Sequence, residues 1–126
     1  FGAKLVHSLC ISHTEPACRL AIRLIEANPM LLLGTYSRDS EKKGPFEGQG
    51  VLHVLLVNRN LLDLRRCIEI AMDAHKQNPQ RFPLATLMMQ SCKGEFFRPL
   101  PMRRFGGTVI GFAATFGMLE EFMPIV

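Results

Sequence analysis

The stretch Gly48-Gln49-Gly50-Val51-Leu52-His53-Val54-Leu55 sets a histidine among aliphatic residues shortly after two glycines. Such a histidine is either a reactive or metal-binding group or a piece of architecture. A search for further copies of the pattern separates the two, because internal repetition changes the whole fold assignment. Two more copies exist. Gly2-Ala3-Lys4-Leu5-Val6-His7-Ser8-Leu9 matches with Gly on Gly and His on His. Gly106-Gly107-Thr108-Val109-Ile110-Gly111-Phe112-Ala113 keeps the leading glycine but carries Gly111 where the histidine would stand. A scaffold residue can drift between copies, whereas a catalytic one would be unique. His7, His53, Gly48 and Gly106 therefore read as structural.

The segments after the first two copies repeat as well. In PACRLAIRLIEANP the residues Ala17, Leu20, Ala21, Leu24 and Ile25 recur at three and four positions, which predicts one apolar face of a helix. Pro16 suits its first turn and Asn28-Pro29 its end. In NLLDLRRCIEIAMDAHKQNP the corresponding face is Leu61, Leu64, Cys67, Ile68, Ala71 and Met72, with Asn60 as the cap and Asp63 in the first turn. Each unit is thus a short helix opened by a glycine turn, a tight connection and a longer amphipathic helix. Neither helix buries its face alone, so the units must stack.

This pattern resembles the ankyrin repeat, which implies an all-α solenoid of stacked helix pairs. In that family the histidine hydrogen-bonds within and between repeats. The expected organisation is a single domain over 1–126 with about three repeats starting near 2, 48 and 106. The starts are 46 and 58 residues apart, against about 33 in ordinary ankyrin repeats. The excess falls in MLLLGTYSRDSEKKGPFE and QRFPLATLMMQSCKGEFFRPLPMRRF, read as long, ordered finger loops. The apolar insert PLATLMMQ in the second is expected to pair as a strand or to pack on a partner. Pro124 falls inside the expected third outer helix, so either that helix is displaced or kinked or the fragment ends before it forms properly.

Phe46, Gly48, Gln49, Leu52 and His53, then Gly94, Phe96 and Phe97, then Phe105, Gly106, Ile110, Phe112, Ala113 and Ala114 occur in an order that resembles the cytosolic ankyrin domain of vanilloid-type transient receptor potential channels. The resemblance implies a non-catalytic domain on the cytoplasmic side of the plasma membrane. It would belong to a tetrameric, calcium-permeable cation channel, mediating subunit assembly and regulatory binding. Its partners would be neighbouring subunits and, as further candidates, calmodulin or anionic lipid headgroups. Some members bind ATP through an aromatic residue and a glutamine, at Phe46 and Gln49 here, and through lysines that fall on Ala3 and Ser8. Lys4 is adjacent but would need another direction; Phe46, Gln49 and Lys4 are the candidate ligand-binding residues, and because the expected phosphate-binding lysines are absent no cofactor is expected, with ATP as the alternative. Phe46 either stacks on a base or packs the finger. Lys93, Arg98, Arg103 and Arg104 beside Phe96, Phe97 and Phe105 either meet lipid or a neighbouring subunit or stay in water.

The totals agree with a non-catalytic reading. The net charge is +4, and the basic residues are scattered apart from Lys42-Lys43, Arg65-Arg66 and Arg103-Arg104, so a nucleic-acid footprint is not expected. No run approaches the roughly 20 apolar residues of a membrane span, and FGAKLVHSLC lacks the features of a secretory signal. Cys10, Cys18, Cys67 and Cys92 show no C-x-x-C spacing and read as reduced, buried thiols of a cytosolic protein, with disulfides and zinc as the alternatives. There is no phosphate loop, dinucleotide fingerprint, zincin or nucleophile-elbow motif. Cys10 with His7 or His13 lacks a third, orienting group. The start at Phe1 and the apolar end EFMPIV suggest a piece of a longer protein. The other reading is a free ankyrin adaptor that binds a soluble partner.

Overall fold

The computed structural model describes residues 2–35, 50–90 and 108–124. Among the described residues the α-helices are α1 (Gly2–Ser12), α2 (Glu15–Ala27), α3 (Val51–Val57), α4 (Leu61–Gln77), α5 (Leu84–Met88) and α6 (Val109–Thr115). Pro29–Leu33 and Leu119–Phe122 are 3-10 helices. Among the described residues there is no strand, and the fold is all-α; an isolated antiparallel bridge joins Thr35 to Gly50.

Local chemistry sets the helix boundaries. Thr14 caps α2 by accepting the Ala17 N–H, and Asn60 caps α4 by accepting the Asp63 N–H at 3.3 Å. These caps are 46 residues apart, the same interval that separates the first two glycine turns. The short helices end alike. The backbone is left-handed at His13 (φ 55°), Arg59 (φ 53°) and Gly117 (φ 70°). In each case the N–H donates three residues back, to Cys10, Leu56 and Ala114 respectively. In the second and third units the next N–H, of Asn60 and Met118, also reaches back five residues, to Leu55 and Ala113. Together these two bonds form the motif that stops a helix by supplying donors to its orphan carbonyls. The three left-handed residues are spaced 46 and 58 apart, so the units repeat in register.

The helices pack in two rows. α1 touches α3 and α3 touches α6, while α2 touches α4 and α4 touches the Leu119–Phe122 turn. Within each unit α1 packs on α2, α3 on α4 and α6 on its turn. The core between the rows holds Val6, Leu52, Leu56, Leu64, Cys67, Phe112 and Phe122, all essentially inaccessible. Their burial, at about 1.5–3 kcal/mol for each large aliphatic or aromatic side chain, is the main force holding the rows together.

Several sequence expectations need correction. Leu20 and Leu61 are exposed, and the buried stripes run instead through Cys18, Ala21 and Ile25 on α2 and through Leu64, Cys67, Ile68, Ile70 and Ala71 on α4. The first long connection begins later than the sequence suggests: Pro29–Leu33 is helical, with Leu32 fully buried. The insert PLATLMMQ is not a strand, and it packs on other helices of this chain. Its residues Leu84–Met88 form α5, which packs on α4, on α6 and on the first 3-10 helix, burying Leu87 and Met88. A run of apolar residues that short suits either state, and a core within reach decides it. Where the third outer helix is expected to begin, the described residues form a 3-10 turn, Leu119–Phe122, followed closely by Pro124.

Candidate interaction surface

His53 is fully buried at the first turn of α3. Its Nδ1 accepts the Gly50 N–H at 3.0 Å, satisfying a donor that a helix start leaves orphaned. Its ring meets Phe112 of α6 edge-on, with centroids 4.7 Å apart. One residue therefore closes its own helix start and touches the next unit, which fits a structural role. In the third unit, where Gly111 replaces the histidine, Thr108 Oγ1 accepts the Gly111 N–H at 3.0 Å. The cap is kept by a different side chain. His7 is also buried, in α1.

Two further residues link the units along the turn edge. Asn58 donates from Nδ2 to the Cys10 carbonyl of the preceding unit at 3.3 Å. Arg59 donates to the Phe116 carbonyl of the following unit at 3.3 Å, and its guanidinium lies over the Phe116 ring at 5.6 Å. The left-handed turn throws these adjacent side chains in opposite directions along the stack.

Gln90 does the same work at the roots of the connections. It is buried after α5, donates from Nε2 to the Leu32 carbonyl at 3.0 Å, and its own carbonyl accepts the Val109 N–H at 3.2 Å. Its Oε1 lies so close to Gly50 that a Cβ there would sit 2.3 Å from it. Gly50, at the start of α3, is therefore the glycine whose missing side chain the packing uses. Nothing in the sequence singled out Gln90, Asn58 or Arg59, since each acts on residues distant along the chain.

The open surface lies between the outer helices. At their N-terminal ends a groove of about 570 Å³ is lined by His13, Cys18, Arg19, Arg23, Leu62 and Asp63, among others. At their C-terminal ends a second, of about 430 Å³, is lined by Asn28, Met30, Gln77, Asn78, Arg81 and Phe82, among others. The charges beside them are largely paired: Arg19 with Glu15, and Arg66 with both Glu26 at 3.3 Å and Glu69 at 3.1 Å. Exposed pairs of this kind contribute little to stability, typically about 0–1 kcal/mol. Arg65 grips both carboxylate oxygens of Glu121, at 2.8 and 3.0 Å, and this bond holds the Glu121 carboxyl below its usual range.

The described thiols, Cys10, Cys18 and Cys67, are free and buried, and Cys92 lies outside the described residues. Burial, with smaller contributions from Cys18 and Asp63, pushes Cys10 up to about 12, and burial raises Cys67 as well. Cys18 is raised by burial and then by Asp63, and Asn60 Nδ2 approaches its sulfur at 3.8 Å. Among the described residues no group of three His, Cys, Asp or Glu could hold a metal ion, and no helix is long and apolar enough to cross a membrane.

Phe46, Gly48, Gln49, Lys93, Arg98, Arg103, Arg104 and Gly106 lie outside the described residues, as does the side chain of Lys4 in α1. The expected ligand and finger sites are thus not among the geometry above. Compared with family models, curated proteins and solved structures, the chain matches none.

Proposed function

We propose that this chain is a non-catalytic interaction module of ankyrin type, from the cytosolic part of a tetrameric, calcium-permeable cation channel. Its work is subunit assembly and the relay of regulatory binding to the gate. The observation that supports the ankyrin part is the common register of the three left-handed turns at His13, Arg59 and Gly117, each closing a short helix that leads into an outer segment. The lateral bonds of His53, Asn58 and Arg59 support it too, since each serves a stack and none resembles a reacting group. The channel part rests on the order of the Phe46, Gly94 and Phe105 motifs. In this reading Phe46, Gln49 and Lys4 are the candidate ligand-binding residues, and Lys93, Arg98, Arg103 and Arg104 contact a neighbouring subunit or anionic lipid headgroups, with calmodulin as a further candidate partner of the domain.

Sequencing the full transcript tests it. Six downstream apolar stretches of roughly 20 residues, with a re-entrant loop before the last, are expected. A stop codon or a water-exposed domain directly downstream would refute the channel and leave an ankyrin adaptor.

A further inference from the structure

Exposed apolar side chains are concentrated on one edge of the stack. Among the described residues nine large hydrophobic side chains are exposed, and seven of them lie where the short helices turn into the outer segments. Ile11 and Val57 stand at the ends of α1 and α3. Leu20, Leu61 and Leu62 lie in the first two turns of α2 and α4, and Leu119 and Met123 in and just after the last 3-10 turn. The repeat aligns them. Ile11 and Val57 are 46 residues apart and Leu61 and Leu119 are 58 apart, the intervals that also separate the left-handed turns. Equivalent residues of neighbouring units therefore form rows along the stack, stepped by the roughly 8–10 Å between packed helices. Leu62, 79% exposed, protrudes most, and it stands in the middle unit beside the groove it lines with Arg19, Ile22 and Arg23. Singly scattered apolar residues need no partner, but seven along one edge mark an interaction surface.

The charges on this edge specify the partner. Glu15 and Arg19 pair with each other, Arg65 pairs with Glu121, and Arg66 is held by Glu26 and Glu69. Asp63 is held by Asn60, and Arg59 donates to the Phe116 carbonyl. Arg23 of the first unit and Glu120 of the third are exposed and, among the described residues, have no ion-pair partner. Arg23 shares a groove with Leu62, and Glu120 is the register equivalent of Leu62, 58 residues on. A cation, the protruding leucine and a carboxylate thus follow one another along the stack. Turned end for end, such an edge is complementary to itself. We infer that it is a two-fold interface between two copies of this chain, with Leu62 near the axis against its own copy and Arg23 of each copy meeting Glu120 of the other. An interface of this symmetry presents the same patch from both sides, so every contact occurs twice. The aliphatic rows supply its dry centre, as homodimer interfaces require. A bilayer fits less well, because most arginines of the edge are neutralised within the chain and little positive charge remains for anionic headgroups. The pairing rests on the repeat register and not on the channel.

The test is sedimentation equilibrium of the 126-residue chain, where a monomer–dimer equilibrium is expected. Leu62→Glu should weaken the dimer by about 100-fold, as loss of a central anchor does. Arg23→Glu and Glu120→Arg should each weaken it by about 10-fold, and the variant carrying both should recover most of the parent affinity, because the reversed charges again face their opposites. All three side chains are exposed, so melting curves of the dilute variants should match the parent and separate lost association from lost folding. The two-fold register has its own readout. In Leu62→Cys, mild oxidation should join position 62 to its own copy, with the linked peptide identified by mass spectrometry. A chain that stays monomeric up to about 1 mM would overturn the inference, as would a dimer indifferent to Leu62→Glu. Charge reversals that fail to compensate, or growth beyond the dimer, would also overturn it, the latter in favour of a head-to-tail contact. Self-association is read without a pore domain, so failure here is distinct from failure of the channel proposal.

Discussion

Replacing Gly50 by alanine inserts one methyl group at the point where three segments meet. The new Cβ would lie 2.3 Å from Gln90 Oε1 and 3.1 Å from its Cδ, well inside contact distance. A flexible side chain could swing away, but Gln90 is 7% exposed and tied through Nε2 to the Leu32 carbonyl. Relief therefore means breaking that bond or shifting α3. Overpacking of this kind costs about 1–3 kcal/mol. Against it stands about 0.4–1 kcal/mol from the reduced freedom of the unfolded chain, since Gly50 has φ −100°, a value alanine accepts. The net expectation is a loss of about 1–2 kcal/mol, or about 4–8 °C in melting temperature. Gln90→Ala alone should also destabilise, by about 1–3 kcal/mol, because it leaves the carbonyl of buried Leu32 without its donor. The decisive measurement is the double variant in urea denaturation. With Gln90 truncated the added methyl has room, so the two losses should fall short of additivity by about 1 kcal/mol or more. Additive losses, or a Gly50→Ala protein as stable as the parent, would refute the placement of Gln90 against Gly50.

The same geometry has other consequences. His53→Ala removes a fully buried ring and the acceptor for the Gly50 N–H, and should cost about 2–4 kcal/mol in equilibrium unfolding; a change under about 0.5 kcal/mol would contradict the structural role. The left-handed turns predict opposite signs for two exposed substitutions. Gly117→Ala should lose about 1 kcal/mol although nothing lies within 4 Å of the added methyl, while His13→Gly should gain about 0.5 kcal/mol; thermal melts giving the same sign for both would be inconsistent with the shared turn. The buried thiols make the fold sensitive to alkali. Cys10 has its folded value raised from 9.0 to about 12, so the unfolded chain releases its proton first, and stability should decline as pH rises from about 9 towards 12. Cys10→Ser or Cys10→Ala should flatten that slope, and an unchanged slope would remove Cys10 as its source.

The repeat and its register were legible in the sequence because they rest on interactions over three to five residues. Asn60 and Asp63 announce the start of α4, Pro16 that of α2, and the spacing of glycines at 2, 48 and 106 reappears in the turns at 13, 59 and 117. Two of those turns carry His13 and Arg59 at a conformation usually given to glycine, which local pattern alone does not flag. The second copy of the histidine made architecture the expectation for His53, while the expected finger and ligand residues fall outside the described residues.

All-α character, helix pairing and the caps are thus properties of the sequence by itself, since a helix start or an amphipathic stripe is set by near neighbours. Only the tertiary structure decided that Leu84–Met88 is helical, that Leu20 and Leu61 face water, and that Gly50 matters for Gln90. Those outcomes depend on partners 40 to 60 positions away, such as Leu32 for Gln90, 58 residues along the chain. Helical periodicity names an apolar face, but which half of that face is covered depends on the neighbour stacked against it. Leu5 and Val51 stand eight residues before the left-handed turns at His13 and Arg59, yet one is exposed and the other buried.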